Sequence, residues 1–268
     1  MARIFVFIFG SIIGSFLNVC IYRLPAEGYS LIRPGSHCPR CKKPIFWYDN
    51  IPILSYLILR GKCRRCGKAI SIRYPLVELL TGVLFLGVHF YVVSHHLRPI
   101  TIPFYWYFAA SLLALSLIDV EHQIIPDRIT YPLAALGLIL AGVYPERFKT
   151  IHPAPALLRS LIGLAVGGMV LWLIGVIGKA VFKKEAMGFG DVKLMAAIGA
   201  WQGWQMVLLA IFLGAAAAAV VGVSLIIMKK ARWGARLPFG PYLALGSLVT
   251  LFWGLEILLW YLKFYVHT

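Results

Sequence analysis

Two carboxylates carry the chemistry open to this chain. Asp191 stands in Gly188-Phe189-Gly190-Asp191 at the head of one apolar stretch, and Asp119 closes another, Leu112 to Ile118. Carboxylates at membrane depth are costly and mark function. Two that meet cannot both ionise easily, so they share one proton near neutral pH. The ionised member can draw a proton from water. The protonated member can polarise a carbonyl and later donate to a leaving amine. That is hydrolysis of the aspartic-protease kind, which needs no metal at the reacting centre.

The neighbours of these acids set expectations for each. Around Asp119 lie Glu121, His122 and Asp127. Asp127 follows Pro126 and precedes an apolar run, which predicts a helix N-cap. Glu121 is expected to face solvent or headgroups. His122 falls on the same helix face as Asp119, one turn on, where it can tune the acid. Gly188 and Gly190 can adopt backbone angles closed to other residues and let another backbone approach closely. A protease holds its substrate extended, and a glycine-flanked aspartate at a helix start suits that. A simple turn with an N-cap aspartate explains the same four residues without function. Lys193 is expected to anchor to headgroups.

A second constellation lies near the N-terminus. Cys38-Pro39-Arg40-Cys41 and Cys63-Arg64-Arg65-Cys66 are two C-x-x-C turns, separated by the 21 residues 42–62. Each turn can face two thiolates toward one metal, and two turns complete a tetrahedron. The separation slightly exceeds the usual spacing of about 15–20 residues. A redox dithiol needs one pair only, and disulfides are disfavoured in a reducing compartment. The four cysteines therefore read as a structural zinc site that supplies folding energy to a loop with few apolar residues. A closed site of this kind leaves no open position for catalysis. His37 is expected at the surface rather than on the metal, and Cys20, inside an apolar run, as a small packing residue.

These residues need elements to position them, and composition says what those are. The chain has 268 residues, 60% of them hydrophobic, with a net charge of +16. Repeated long apolar runs predict an all-α polytopic membrane protein with spanning helices of roughly 20 residues. Eight spans are expected, at about 4–22, 75–94, 104–120, 129–144, 157–181, 190–201, 204–228 and 240–264. The N-terminal run lacks a cleavage site of small residues, so it is expected to be a retained first span. The parts are then residues 1–22 as the first transmembrane helix, 23–74 as a four-Cys zinc-binding domain, and 75–268 as a transmembrane peptidase core.

Charge orients the spans. Eleven Lys and Arg residues lie between Arg23 and Arg73, opposed by Glu27 and Asp49 alone. By the positive-inside rule this loop is cytoplasmic. Later loops agree through Lys183 and Lys184, then Lys229, Lys230, Arg232 and Arg236, whereas the loop of Arg128 shows no such bias and Arg3 is outvoted. Both acids then fall at the cytoplasmic leaflet. Nucleic-acid binding would want a soluble basic domain, so anionic headgroups are the better partner for the basic loop. Gly10, Gly14, Gly163, Gly167 and Gly168 are small residues that let helix backbones touch.

The chain resembles the type IV prepilin peptidase family, the bifunctional leader peptidase/N-methyltransferases. The resemblance rests on the run Gly14 to Pro25, the four cysteines, Asn50-Ile51-Pro52 and Arg73 to Glu78. It continues through Ile118-Asp119, Met187 to Lys193 and Pro238-Phe239-Gly240-Pro241-Tyr242. It implies a G-x-G-D aspartic peptidase of the bacterial inner membrane whose catalytic pair matches Asp119 and Asp191. It implies removal of the leader from type IV prepilins and type II secretion pseudopilins on the cytoplasmic side. It further implies methylation of the new N-terminus with S-adenosylmethionine as methyl donor. No separate dinucleotide-type glycine motif marks a methyl-donor site, which is sought near Gly61. The competing reading is a proton-coupled transporter using the same acids, and a third is an assembly factor docking through the basic loop.

Overall fold

The computed structural model describes residues 1–25, 30–31, 33, 35–183, 187–230 and 237–266. Glu27, Lys184, Arg232 and Arg236, used above to orient the spans, lie outside the described residues. The described residues form α1 (Ala2–Arg23), α2 (Leu54–Ile58), α3 (Arg73–Ser94), α4 (Ile102–His122), α5 (Asp127–Val143), α6 (Pro153–Phe182), α7 (Phe189–Ile227) and α8 (Gly240–Val266). No β-strand occurs among them. The protein is thus an all-α membrane protein. Six of these helices, among the described residues, are long and apolar enough to cross a bilayer.

The expected eight spans map onto these helices in a way that geometry explains. The expected segment 129–144 is α5, whose 17 residues reach only about 26 Å, short of the bilayer's roughly 30 Å apolar core. The expected segments 190–201 and 204–228 are the two arms of α7, helical segments that meet end to end at a kink within its 39 residues. Straight, it would run about 58 Å, nearly twice the apolar core. It breaks at Gly203, where φ is 78° and ψ is 171°. Only glycine takes such angles readily, and the break falls between the two expected segments.

The chain divides into two compact units, Met1–Ala114 and Leu115–Thr268. In the first, α1 and α3 run antiparallel. A Cβ on Gly10 would lie 2.9 Å from Gly82 Cα, and one on Gly14 would lie 2.7 Å from Glu78 Cα. Asn18 Nδ2 donates to Tyr74 O at 3.1 Å, one turn further along each helix. Backbones this close exclude any side chain, which is the use of small residues at membrane helix interfaces. Trp106 of α4 stacks on Phe85 of α3 with centroids 4.9 Å apart and donates its indole N–H to Phe85 O. Cys20 is buried in α1, a packing residue as expected.

In the second unit, α6 and α7 meet through Gly163 and Gly199, where a Cβ on either would land on the other's carbonyl oxygen. Gly167 lies in the same way on Met195 O. A kink leaves carbonyls of the preceding turn short of donors, and Ser160 Oγ donates to Ala200 O at 2.6 Å. Across the kink, Gln202 Nε2 donates to Ser247 O at 2.7 Å while its Oε1 accepts from Thr250 Oγ1 at 2.8 Å. Trp201 fixes α5 by donating its indole N–H to Leu133 O at 2.6 Å. Gly214 and Gly246 let α7 and α8 approach to backbone contact. These packings hold α7, whose first turn carries Asp191, against α5, α6 and α8.

Candidate active site and metal centre

Asp119 lies in the last turn of α4 and Asp191 in the first turn of α7. Both belong to the second unit, 6% and 8% exposed respectively. Asp191 is within electrostatic reach of Asp119. Its own backbone N–H bonds Gly188 O, the N-cap carbonyl of α7, at 3.2 Å. Asp119 Oδ2 accepts the backbone N–H of Gly240 at 2.8 Å. Gly240 opens α8, so its N–H is one of the orphan donors of a helix start. Each carboxyl group thus sits at a helix N-terminus, where the partial positive charge steadies an anion. Two buried carboxyl groups that feel each other, each with backbone donors at hand, can hold one proton between them and activate a water.

Gly240, which belongs to a motif of the resemblance and to which the sequence assigns no role, joins this candidate site through Asp119. A Cβ there would stand 2.8 Å from Asp119 Oδ2. The available signal was a glycine-proline pair opening an apolar run. The G-x-G pair also works differently from the expectation. Gly188 has φ −75° and ψ 142°, angles open to any residue, and Gly190 is helical. What Gly190 supplies is closeness, since a Cβ would come 2.9 Å from Ile125 Cβ in the loop after α4. At Gly188 a Cβ would meet Asp191 Oδ2 at 3.4 Å, an ordinary contact.

Three neighbours also differ from expectation. Asp127 is not a side-chain cap: Pro126 is the N-cap of α5 and makes no capping bond. Asp127 instead takes both its oxygens to Lys193 Nζ, at 2.7 and 2.8 Å. Lys193 therefore does not simply reach for headgroups. Its ammonium also lies 5.2 Å from the Phe189 ring centre and 5.5 Å from that of Tyr131, tying the first turn of α7 to α5. A fixed carboxylate and two aromatic faces hold a cation better than mobile lipid. His122 is exposed, stands 3.9 Å from the exposed Glu121, and makes no hydrogen bond to Asp119 among the described residues.

The first unit holds the cysteine cluster. The Sγ atoms of Cys38, Cys41, Cys63 and Cys66 all lie within 4.8 Å of one another, an arrangement that could hold a metal ion. A tetrahedral zinc with bonds of about 2.3 Å sets its sulfurs about 3.8 Å apart, and Cys38 and Cys66 stand at 3.9 Å. The residues fit the group. The Lys68 amide favours the Cys66 thiolate, but desolvation and the thiols of Cys63, Cys41 and Cys38 outweigh it and push the Cys66 thiol up to about 11. A bound cation would offset the negative charge of four gathered thiolates. His37 stays off the cluster, with Nδ1 against Gly35 O at 2.9 Å.

The two turns are copies of one another. In the first, Cys38 N–H bonds Lys43 O, Lys42 N–H bonds Cys38 O and Ile45 N–H bonds Ser36 O. In the second, Cys63 N–H bonds Lys68 O, Gly67 N–H bonds Cys63 O and Ile70 N–H bonds Gly61 O. Lys42 and Gly67 take the same positive φ, 56° and 67°. The sequence carried this as a repeated Cys-x-Arg-Cys-x-Lys-x-Ile, too short to stand out as an internal repeat.

Comparison with known proteins gives matches along most of the chain. Residues 8–92 match the bacterial peptidase A24 N-terminal domain and residues 106–223 the type IV leader peptidase family. A prepilin leader peptidase/N-methyltransferase of Stutzerimonas stutzeri is 40% identical over 285 residues, covering 96% of this chain and 92% of that protein. Proteins of the same name from Pseudomonas aeruginosa (40% identical, 95% and 91% covered) and Dichelobacter nodosus (37%, 94% and 92%) are similar over the same length. No solved structure matches.

Proposed function

We propose that this chain, which belongs to the type IV leader peptidase family, removes the leader peptide of type IV prepilins and then methylates the amine it exposes. The observation that carries the peptidase reading is the pair of buried carboxyl groups, Asp119 and Asp191, brought within electrostatic reach at two helix ends. Asp119 and Asp191 share one proton. The ionised carboxylate takes a proton from water as its oxygen bonds the scissile carbonyl carbon. The protonated carboxyl donates to the carbonyl oxygen. As the tetrahedral diol collapses, the carboxylate that gave its proton to the carbonyl oxygen takes one back from a hydroxyl, the carbon–nitrogen bond breaks, and the leaving amine takes the water-derived proton from the other acid. Of the two expected supporting glycines, Gly188 contributes its carbonyl to the Asp191 N–H, and the space around Asp191 rests on Gly190, which admits Ile125.

Pseudopilins of type II secretion are proposed as further substrates, on the resemblance. S-adenosylmethionine is the proposed methyl donor; no residues are assigned to it. Zinc on Cys38, Cys41, Cys63 and Cys66 is proposed as structural: when bound it neutralises thiolates and links two turns that share no strand. We assign residues 1–22 to the first transmembrane helix, 23–74 to the zinc-binding domain and 75–268 to the peptidase core. The proposed location is the bacterial inner membrane, with the basic loop and the acids on the cytoplasmic side. A proton-coupled transporter could use the same acids, but it has no need of a four-thiol cluster, and the relatives carry peptidase names.

The test is incubation of purified protein with a prepilin and labelled methyl donor, read by mass spectrometry. The expected product lacks the leader and carries the label. An intact leader would remove the peptidase reading. A cleaved but unlabelled product would remove methyl transfer alone.

A further inference from the structure

Residues 46–58 carry an exposed apolar ridge for which the proposed chemistry has no use. Trp47 is 81% exposed, Leu57 64% and Ile58 73%, and Phe46, Ile51 and Leu54 are exposed with them. Leu54, Leu57 and Ile58 share one face of α2 by their spacing. The stretch has a single ionisable acid or base of ordinary charge, Asp49, and Arg64 holds it through bonds of 2.7, 2.8 and 3.1 Å. The ridge is not floppy chain. Ser55 Oγ accepts from Ile51 N–H at 3.0 Å and donates to Tyr48 O at 2.9 Å, and the Phe46 and Tyr48 rings stack at 5.3 Å. Facing water, such a patch would invite association.

Its placement gives it an occupant. The loop leaves the end of one spanning helix, α1, and enters another, α3. Ile53 N–H donates to Glu78 Oε2 at 2.7 Å, and Glu78 is the sixth residue of α3, about 7.5 Å along its axis from Arg73. The start of α2 is therefore held beside the first turns of a membrane-crossing helix, not beyond its end. Ile53 takes φ 62° to make this contact. That angle is an outlier for a β-branched residue and persists only where the surroundings over-determine it. Arg60, Lys62, Arg64 and Arg65 follow directly and are exposed. The guanidinium of Arg65 lies 4.8 Å from the Phe46 ring centre and that of Arg64 5.7 Å from the Tyr48 ring centre. Aromatic and aliphatic side chains beside snorkelling cations are the pattern of a helix lying in a lipid–water interface.

We infer that residues 46–58 are a monotopic wedge seated in the bilayer surface, with Trp47, Leu57 and Ile58 at the acyl boundary and Arg60, Lys62 and Arg65 on anionic lipid headgroups. The four-cysteine cluster, which flanks the wedge on both sides in sequence, is thereby held at the membrane rather than projecting into water.

The experiment uses full-length protein in nanodiscs of phosphatidylethanolamine and phosphatidylglycerol. The emission of Trp47 is obtained as the difference between the native protein and Trp47→Phe. The wedge predicts blue-shifted emission, lost when the lipids are brominated near the headgroup end of their chains and shielded from iodide. Red-shifted emission that iodide quenches and bromolipid leaves alone overturns it. Hydrogen exchange of the native protein needs no substitution and provides the second reading. Amides 54–58 should exchange more slowly in discs containing phosphatidylglycerol than in discs of neutral lipid. Protection that appears only when a prepilin is added would assign the ridge to substrate, and protection that grows with protein per disc would assign it to a second copy. Either result overturns the lipid assignment.

Discussion

At the scale of single residues, the candidate site depends as much on missing atoms as on present ones. Asp119→Asn and Asp191→Asn should each abolish leader removal while helical circular dichroism stays unchanged, since among the described residues neither acid is paired with a buried cation that would be stranded. Wild-type cleavage by either variant would remove that acid from the mechanism. The glycines should separate by the room around them. Gly240→Ala drives a methyl group toward Asp119 Oδ2, 2.8 Å from the new Cβ. Displacing a reacting group by about an ångström costs on the order of 100-fold in rate, and a loss of that size is expected in cleavage assays. Gly190→Ala should behave similarly, through Ile125. Gly188→Ala, whose Cβ has 3.4 Å to its nearest neighbour, should keep most of the activity. Equal losses at all three would mean that space is not what these glycines provide.

At the scale of helices, two devices set the geometry. The first is the glycine seam between α6 and α7. Gly163→Leu or Gly199→Leu forces apart backbones that now touch, and overpacking of this kind costs about 1–3 kcal/mol or more. A lowered midpoint of thermal unfolding in detergent would register it; an unchanged midpoint would show that the helices can part freely. The second is the ion pair of Asp127 with Lys193. Its members are 45% and 25% exposed, so its worth to stability is at most about 1 kcal/mol. Its worth to the site is positional, because it ties α5 to the turn that carries Asp191. Lys193→Met should therefore lower the cleavage rate far more than it lowers the unfolding midpoint. A parallel fall in both would make the pair merely structural.

At the scale of the whole molecule, the metal centre and the acids serve different proposed steps, so their loss should be separable. Chelation or Cys63→Ser should disorder the two knuckles and reduce methyl transfer first, with leader cleavage partly surviving; both are read from one mass spectrum. Undiminished methylation in zinc-free protein would contradict this. Much of the architecture was legible beforehand because it is local. Apolar length marks the spans, C-x-x-C spacing marks the cluster, and a carboxylate at the end of an apolar run stands out by its cost. The break in α7 falls between the two expected segments, 190–201 and 204–228, although nothing in the sequence singled out Gly203. What stayed hidden were the hydrogen-bond and ion-pair partners of the acids. Asp127 read as a cap since Lys193, its partner, is 66 positions away. The donor to Asp119 could not be chosen among the helix starts, because Gly240 is 121 positions off. Composition and period are properties of a segment, and the sequence alone could state them. Which donor reaches which acid is a property of packing, decided only when glycine seams bring particular helix ends together.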